Sequence, residues 1–230
     1  MMTKKTAILL LNRSAHEEAQ AKGFLSKKSA TKAVKLIQYL KDQTHQTAQR
    51  INLPVLNFDS KKQKGENFGA RITHAIKSSF EKGYDNLIII GIDSPGLNYR
   101  HIHKAKSILE TSEKTILGPS HDGGVYLIGI NKSNFCEAEF LNLAWQTEDL
   151  QQSWKKVDSD IEWLNPLTDI DQLEDLFEFL PKFDITLTQF HKLISIILKV
   201  FKQIYLPLKI DLLRSISILS FGFRAPPQLA

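Results

Sequence analysis

Two strand-and-turn elements between residues 86 and 124 constrain the fold more than any other part of this sequence. In the first, the apolar run 87–91 leads into Asp93-Ser-Pro-Gly96; in the second, the run 115–119 opens into His121-Asp-Gly-Gly124. Apolar β-formers bounded by Gly and Pro are typical of strands buried on both faces, and such strands belong to parallel α/β sheets. Because ligands of these sheets bind beyond the carboxyl ends of the strands, Asp93 is a candidate for holding a cation or a polar substrate.

The spacing of apolar residues predicts alternating strands and helices over most of the chain. Strands are predicted at 6–11, 53–58, 87–91 and 115–118, and helices at 29–41, 69–82 and 100–110. This alternation indicates right-handed parallel units of an α/β sheet with helices on both faces. The apolar strand at 125–130 follows without a helix, which predicts an antiparallel or mixed sheet edge. Further elements are expected at 146–155 (helix), 161–164 (strand) and 171–180 (helix), and Pro181 marks the expected end of the body.

Composition favours one domain, predicted at 1–184, followed by an amphipathic helical extension at 185–230. The chain has 230 residues, 42% of them hydrophobic, which is enough for a full core. Cys136 is the single cysteine, so an internal disulfide or a multi-cysteine metal site is excluded. The N-terminal sequence has too short an apolar run for a signal peptide, and we expect a cytoplasmic protein.

The formal net charge of +5 resides in the extension rather than in the body of the chain. Residues 185–230 contain six Lys and Arg against one Asp. We therefore expect no nucleic-acid partner, because the body has no excess of positive charge to neutralise phosphates. The extension has no run long enough for a transmembrane span. Its apolar faces are expected to dock on the body, to form a homodimer, or to contact a membrane surface.

Five motifs in order resemble a bacterial GT-A-like glycosyltransferase family known as radical-SAM/selenodomain-associated transferases, in the nucleotide-diphospho-sugar transferase superfamily. They are Gly91-x-Asp-Ser-Pro-Gly-Leu97, Leu117-Gly-Pro-x-x-Asp-Gly-Gly-x-Tyr-Leu-Ile-Gly129, Trp145-x-Thr147, Gln63-x-Gly-x-x-Phe-Gly-x-Arg71, and Asp169-Ile-Asp-x-x-x-Asp-Leu176. The resemblance covers residues 6–180. It implies a GT-A, Rossmann-like fold and a nucleotide-sugar or nucleotide substrate.

The resemblance also implies a metal site in which Asp93 is joined by Asp169 or Asp171. Transfer from a nucleotide-activated donor needs a cation at the diphosphate, and Mg²⁺ or Mn²⁺ prefers carboxylate oxygens. Asp169 and Asp171 are equally well placed as N-cap and first-turn residues of a following helix. Asp122 is a candidate general base for an acceptor hydroxyl, and Gly123 and Gly124 would let the backbone approach the ligand.

The remaining candidates concern the nucleotide and the substrate pocket. Arg71 and backbone amides at a helix start can hold phosphate. The substrate-binding candidates are Arg13, Gln63, Gly65, Arg71, Ser94, Gly123, Gly124, Trp145 and Thr147. Gln63 and Gly65 are equally consistent with a solvated turn, and Trp145 with a core residue.

The segment after the first strand departs from the family pattern. Where the family has a basic loop with Pro and Gly, residues 12–23 contain no proline and two glutamates, and Arg13 and Lys22 are the basic residues. The sequence predicts a metal-dependent transferase for a nucleotide-activated substrate, with glycosyl transfer favoured. The alternatives are a nucleotidyltransferase, or a catalytically degenerate binding or scaffold protein that uses its C-terminal helices.

Overall fold

The computed structural model describes residues 4–24, 30–171 and 175, which form an α/β fold around one six-stranded sheet of order β2-β1-β3-β5-β4-β6. The strands are β1 (Thr6–Leu11), β2 (Val55–Phe58), β3 (Asn86–Ile90), β4 (Thr115–Pro119), β5 (Val125–Asn131) and β6 (Ile161–Trp163). The helices are α1 (Ala15–Ala21), α2 (Ala30–Gln49), α3 (Phe68–Glu81), α4 (Tyr99–Thr111), α5 (Glu137–Asn142) and α6 (Leu150–Val157). The predicted fold class is confirmed.

The central strands are buried on both faces, as their continuous apolar sequences predicted. In β1, Ala7 and Leu9 belong to one core cluster, whereas Ile8 and Leu10 belong to the other. Alternate side chains of a strand point to opposite faces, so a run without polar residues requires cover on both sides. The two clusters are therefore the two faces of a single sheet.

Helices supply that cover. On one face, α3 packs its apolar stripe against the sheet, and Phe140 of α5 and Trp154 of α6 join the same cluster. On the other face, α4 contributes Ile102, Ala105 and Leu109. The spacing of these residues at three and four positions is that of an amphipathic helix with one buried stripe.

The sheet is mixed, and its antiparallel strand is central. β5 pairs antiparallel with both β3 and β4, whereas the other pairings are parallel. The prediction that the strand at 125–130 lies at a sheet edge is therefore wrong. A five-residue connection between β4 and β5 is too short for a crossover helix, so the chain turns back beside β4. β3 then covers the other side of β5, which is buried along six of its seven residues.

The helices differ from the predictions at three places. Residues 15–21 form α1, where no helix was predicted. The helix predicted at 29–41 continues as α2 to Gln49. The helix predicted at 146–155 begins at Leu150, and α5 precedes it as a separate short helix.

The predicted domain end at Pro181 and the amphipathic extension at 185–230 lie outside the described residues, as does most of the helix predicted at 171–180. The proposed homodimer or membrane contact through the extension stays a prediction. In the ranges that the structure covers, no helix has the length and apolarity needed to cross a membrane.

Candidate functional site

The candidate site lies at the edge of the sheet where β1, β3 and β4 end. Asp93 follows β3, and Ser120 directly follows β4. Residues 167–171 return to this edge: the backbone amide of Leu167 donates to Pro119 O at 3.0 Å, and that of Ile170 donates to Asp93 O at 2.9 Å. These backbone hydrogen bonds bring the late aspartates beside the strand ends, as the resemblance implied.

Asp169 is held by two hydroxyl groups. Its Oδ1 accepts a short hydrogen bond from Ser94, and its Oδ2 accepts another from Ser120. Burial raises the pKa of Asp169, while the Ser120 and Ser94 hydroxyls act in the opposite direction by favouring the charged form. Asp169 therefore links the turn after β3 to the end of β4, and both of its oxygens are occupied by the protein itself.

Asp93 and Asp171 share a cation, the ammonium group of Lys22. Lys22 Nζ lies 3.2 Å from Asp93 Oδ1 and 2.6 Å from Asp171 Oδ1. Asp93 Oδ1 is buried and has no hydrogen-bond partner in the described part of the chain, so the contact with Lys22 is an ion pair without hydrogen-bond alignment. Burial raises the pKa of Asp93 well above its usual range, and the Lys22 charge opposes that change.

Helix α1 places Lys22 at this position. Ser14 caps the helix in a reciprocal capping box with Glu17. At the other end, the amide of Phe24 donates to Ala19 O, and Gly23 adopts a positive φ of 67°. These are the features of a Schellman C-cap, which fixes the direction of the chain after Lys22. The Ser14-x-x-Glu17 pattern was the sequence signal for this helix.

Four predicted nucleotide-binding residues line one open cavity of about 530 Å³: Arg13, Gln63, Gly65 and Arg71. Arg13 and Gln63 also line a second cavity, of about 320 Å³, which contains Asp93, Asp171 and Lys22. In the residues that the structure describes, neither Arg13 nor Arg71 forms a salt bridge. The two guanidinium groups lie beside the carboxylate edge, and Glu17 lines the same cavity, where the charge of Arg13 helps to lower its pKa.

Gln63 and Gly65 also have local structural roles. The Gln63 side-chain amide donates to Asn12 O at 2.8 Å and to Phe58 O at 2.9 Å, joining the ends of β1 and β2. Gly65 has φ of 140°, and a Cβ there would lie 2.7 Å from Ala70 Cβ. A close turn against the start of α3 therefore requires glycine at this position.

Asp122 closes the turn between β4 and β5 rather than entering the two cavities. Its Oδ1 accepts a hydrogen bond from Gly124 N at 3.0 Å. Gly123 has φ of 93°, and a Cβ there would lie 2.4 Å from Glu148 O. Gly124 lines a third cavity, of about 240 Å³, together with Asp93, Asp169 and Asp171. Gly124 thus lies at the site, whereas Asp122 supports the turn through its side chain.

Trp145 lines this third cavity, and Thr147 supports the adjacent turn. Trp145 Nε1 donates to Phe140 O at 2.6 Å, and its ring packs edge-on against Phe68. Thr147 Oγ1 donates to Ala144 O at 2.8 Å. Between them, Gln146 has a positive φ of 61° and lines both cavities that contain Asp93 and Asp171. Its position at the site was not predicted.

The donor atoms at Asp93 and Asp171 fit a hard cation. Lys22 Nζ also donates a hydrogen bond to Ile170 O at 2.8 Å, so the ammonium group is surrounded by oxygens of the type that Mg²⁺ and Mn²⁺ prefer. Among the described residues, no group of three or more His, Cys, Asp or Glu side chains is arranged to hold a metal ion. A divalent ion here would therefore need oxygens from substrate or water in addition to these carboxylates.

The fold is that of the nucleotide-diphospho-sugar transferase type. A proposed nucleotide-diphospho-sugar transferase from Desulfovibrio desulfuricans G20 is 20% identical to this chain and has a TM-score of 0.74; the match covers 87% of this chain and 98% of that one. Rv0371c from Mycobacterium tuberculosis H37Rv is 13% identical with a TM-score of 0.47, over 79% of this chain and 100% of that one.

The chain belongs to the family DUF2064, described as an uncharacterized protein conserved in bacteria, whose pattern matches residues 25–147. No curated protein shows a significant match to this chain. The expected GT-A-like fold is confirmed by the structural match, while glycosyl transfer and the association with radical-SAM and selenodomain proteins stay predictions.

Proposed function

We propose that the protein is a transferase for a nucleotide-activated substrate, and that its donor is a nucleotide-sugar. The observation that carries this proposal is the meeting of Asp93, Asp169 and Asp171 at one sheet edge, beside a cavity lined by the guanidinium groups of Arg13 and Arg71. In a nucleotide-diphospho-sugar, a polyanionic diphosphate joins a polar sugar to a base. The basic surface suits the diphosphate, and the adjacent carboxylate edge suits the polar sugar.

Arg13 and Arg71 are proposed to hold the diphosphate. Both line the 530 Å³ cavity, and Arg13 extends this surface into the cavity that contains Asp93. A guanidinium group can donate two parallel hydrogen bonds to one phosphate, which fixes its orientation as well as its charge. The donor would then point its transferred group toward the carboxylate edge.

Asp93 and Asp171 are proposed to hold Mg²⁺ or Mn²⁺ together with donor phosphate oxygens. When bound, the ion would neutralise charge on the diphosphate leaving group. Asp169 has a different role, because both its oxygens accept hydrogen bonds from serines. It positions the Ser94 turn and the Ser120 strand end, so that Asp93 and the glycine turn keep their relative places. Asp122 is proposed to order the glycine turn between β4 and β5 on the side where the acceptor would bind.

A thermal-unfolding screen against nucleoside diphosphates, triphosphates and nucleotide-sugars, with and without Mn²⁺, tests the proposal. A ligand at about a hundred times its dissociation constant stabilises a protein by about 2.7 kcal/mol. We expect such a shift for the wild type with a nucleotide-sugar and Mn²⁺, and a much smaller one for Asp93→Asn and Arg71→Gln. Asp149→Asn is the matched control, since Asp149 is exposed and its side chain makes no cap hydrogen bond.

The screen also separates the alternatives. Stabilisation by nucleoside triphosphates alone would favour nucleotidyl transfer, in which pyrophosphate leaves. If no nucleotide stabilises the wild type under any metal condition, the proposed function is wrong and a binding or scaffold role gains support.

A further inference from the structure

We propose that Lys22 is a built-in cation of the carboxylate site, and that its ammonium group and a divalent metal ion occupy the same position in turn. This inference deepens the proposed function and rests on it for the metal site at Asp93 and Asp171. Metal binding without nucleotide is then weak because Lys22 already fills the position.

The contacts of Lys22 Nζ are those of a coordinated cation. Four oxygens surround it: Asp171 Oδ1 at 2.6 Å, Ile170 O at 2.8 Å, Asp93 Oδ1 at 3.2 Å and Glu18 Oε1 at 3.9 Å. The Lys22 side chain is only 7% exposed, which is unusual for lysine unless it is paired. The ammonium group therefore acts as the counter-ion of a cluster of carboxylates that would otherwise repel one another.

A divalent ion could not bind these oxygens while Lys22 stays in place. Mg²⁺ binds carboxylate oxygens at about 2.0–2.1 Å, so the ion would lie within the space that Nζ now fills, next to a like charge. Lys22 lines the 320 Å³ cavity together with Arg13. A displaced ammonium group would thus stay at the proposed phosphate side, where a diphosphate could take over its pairing.

The Schellman cap limits where Lys22 can go. Gly23 in the left-handed region and the buried Phe24 hold the backbone at the end of α1. Exchange between the two cations therefore needs rotation of the lysine side chain alone, without movement of the helix. The four-carbon stem of lysine carries enough rotatable bonds for that exchange.

Titration with Mn²⁺ alone, followed by electron paramagnetic resonance of free Mn²⁺, tests this inference in the full chain. We expect Lys22→Met to bind Mn²⁺ roughly tenfold more tightly than the wild type, or better. Adding Asp93→Asn to Lys22→Met should remove the gain. Lys77→Met is the matched control, because Lys77 forms a 2.7 Å salt bridge with Glu137 and lines neither of the cavities that contain Asp93.

Removal of the ammonium group leaves its carboxylates uncompensated, so folding is checked by circular dichroism. Lys22→Gln is the second variant, since its amide can still donate to Asp171 or Ile170 O without carrying a charge. Equal Mn²⁺ affinity in the wild type and in both Lys22 variants would overturn the inference. No nucleotide is present in this titration, so its result is independent of whether the nucleotide screen succeeds.

Discussion

Replacing Ser120 with alanine should destabilise the carboxylate edge by a predictable amount. The Ser120 hydroxyl donates to Asp169 Oδ2, and Ser94 alone would remain to hold this carboxylate. A hydrogen bond to a charged group contributes about 1.5–3 kcal/mol. We therefore expect Ser120→Ala to lower the free energy of unfolding by about 2 kcal/mol at neutral pH.

The loss should depend on pH in a defined direction. The folded-state pKa of Asp169 is already raised, mainly by burial, and the serine hydroxyls lower it. Removing one hydroxyl raises this pKa further, so the penalty belongs to the ionised carboxylate. The loss of stability is fully present above the pKa that Asp169 has in the folded variant. It decreases as the pH falls through the raised pKa values of Asp169 in the variant and the wild type, where the folded state takes up a proton.

Urea unfolding from neutral pH down to about pH 4 would measure this dependence. Ser79→Ala is the matched control, because the buried Ser79 hydroxyl donates to the neutral Ala75 O at 2.7 Å. The control should cost about 0.5–1.5 kcal/mol at every pH. Equal costs for the two variants, or a Ser120→Ala cost that does not change with pH, would refute the role given to Asp169.

Two further predictions concern the turns around the site. Gly123→Ala should lower the free energy of unfolding by about 1–3 kcal/mol, since φ is 93° and the new Cβ would meet Glu148 backbone. Gly83→Ala, with φ of 88° but open space around it, should cost less in the same urea titration; the reverse order would contradict the contact with Glu148. Ser14→Ala removes the α1 cap and should cost about 1 kcal/mol, measured by thermal and urea unfolding; an unchanged stability would show that α1 does not depend on this cap.

The sequence predicted the strands well because their signal is local. A run such as Leu87-Ile-Ile-Ile90 has no polar position, so it must be buried on both faces wherever it lies in the sheet. The position of β5 within the sheet could not be predicted from local sequence in the same way. A short connection predicts an antiparallel neighbour for β4, but nothing local indicates that β3 will cover the other side.

The candidate site was predicted in part. The resemblance brought Asp93, Asp169 and Asp171 together, and the structure places all three on one cavity. It did not indicate that Ser120 would hold Asp169, because this contact joins residues 49 apart in sequence and depends on the return of the chain to β4. Lys22 was noted only as a basic residue of an altered loop; its ion pairs became visible once α1 was known to be a capped helix.

The strand order also determines which piece of this chain could stand alone. β1 lies between β2 and β3, yet it precedes the family match at residues 25–147. A fragment limited to those residues would leave β2 without its described neighbour and would expose the hydrogen-bonding edge of β3. It would also lack β6 and Asp169. Fragments for expression or for domain exchange should therefore begin before Thr6 and continue past Asp171, because an interior strand of the sheet precedes the family match and the late aspartates follow it.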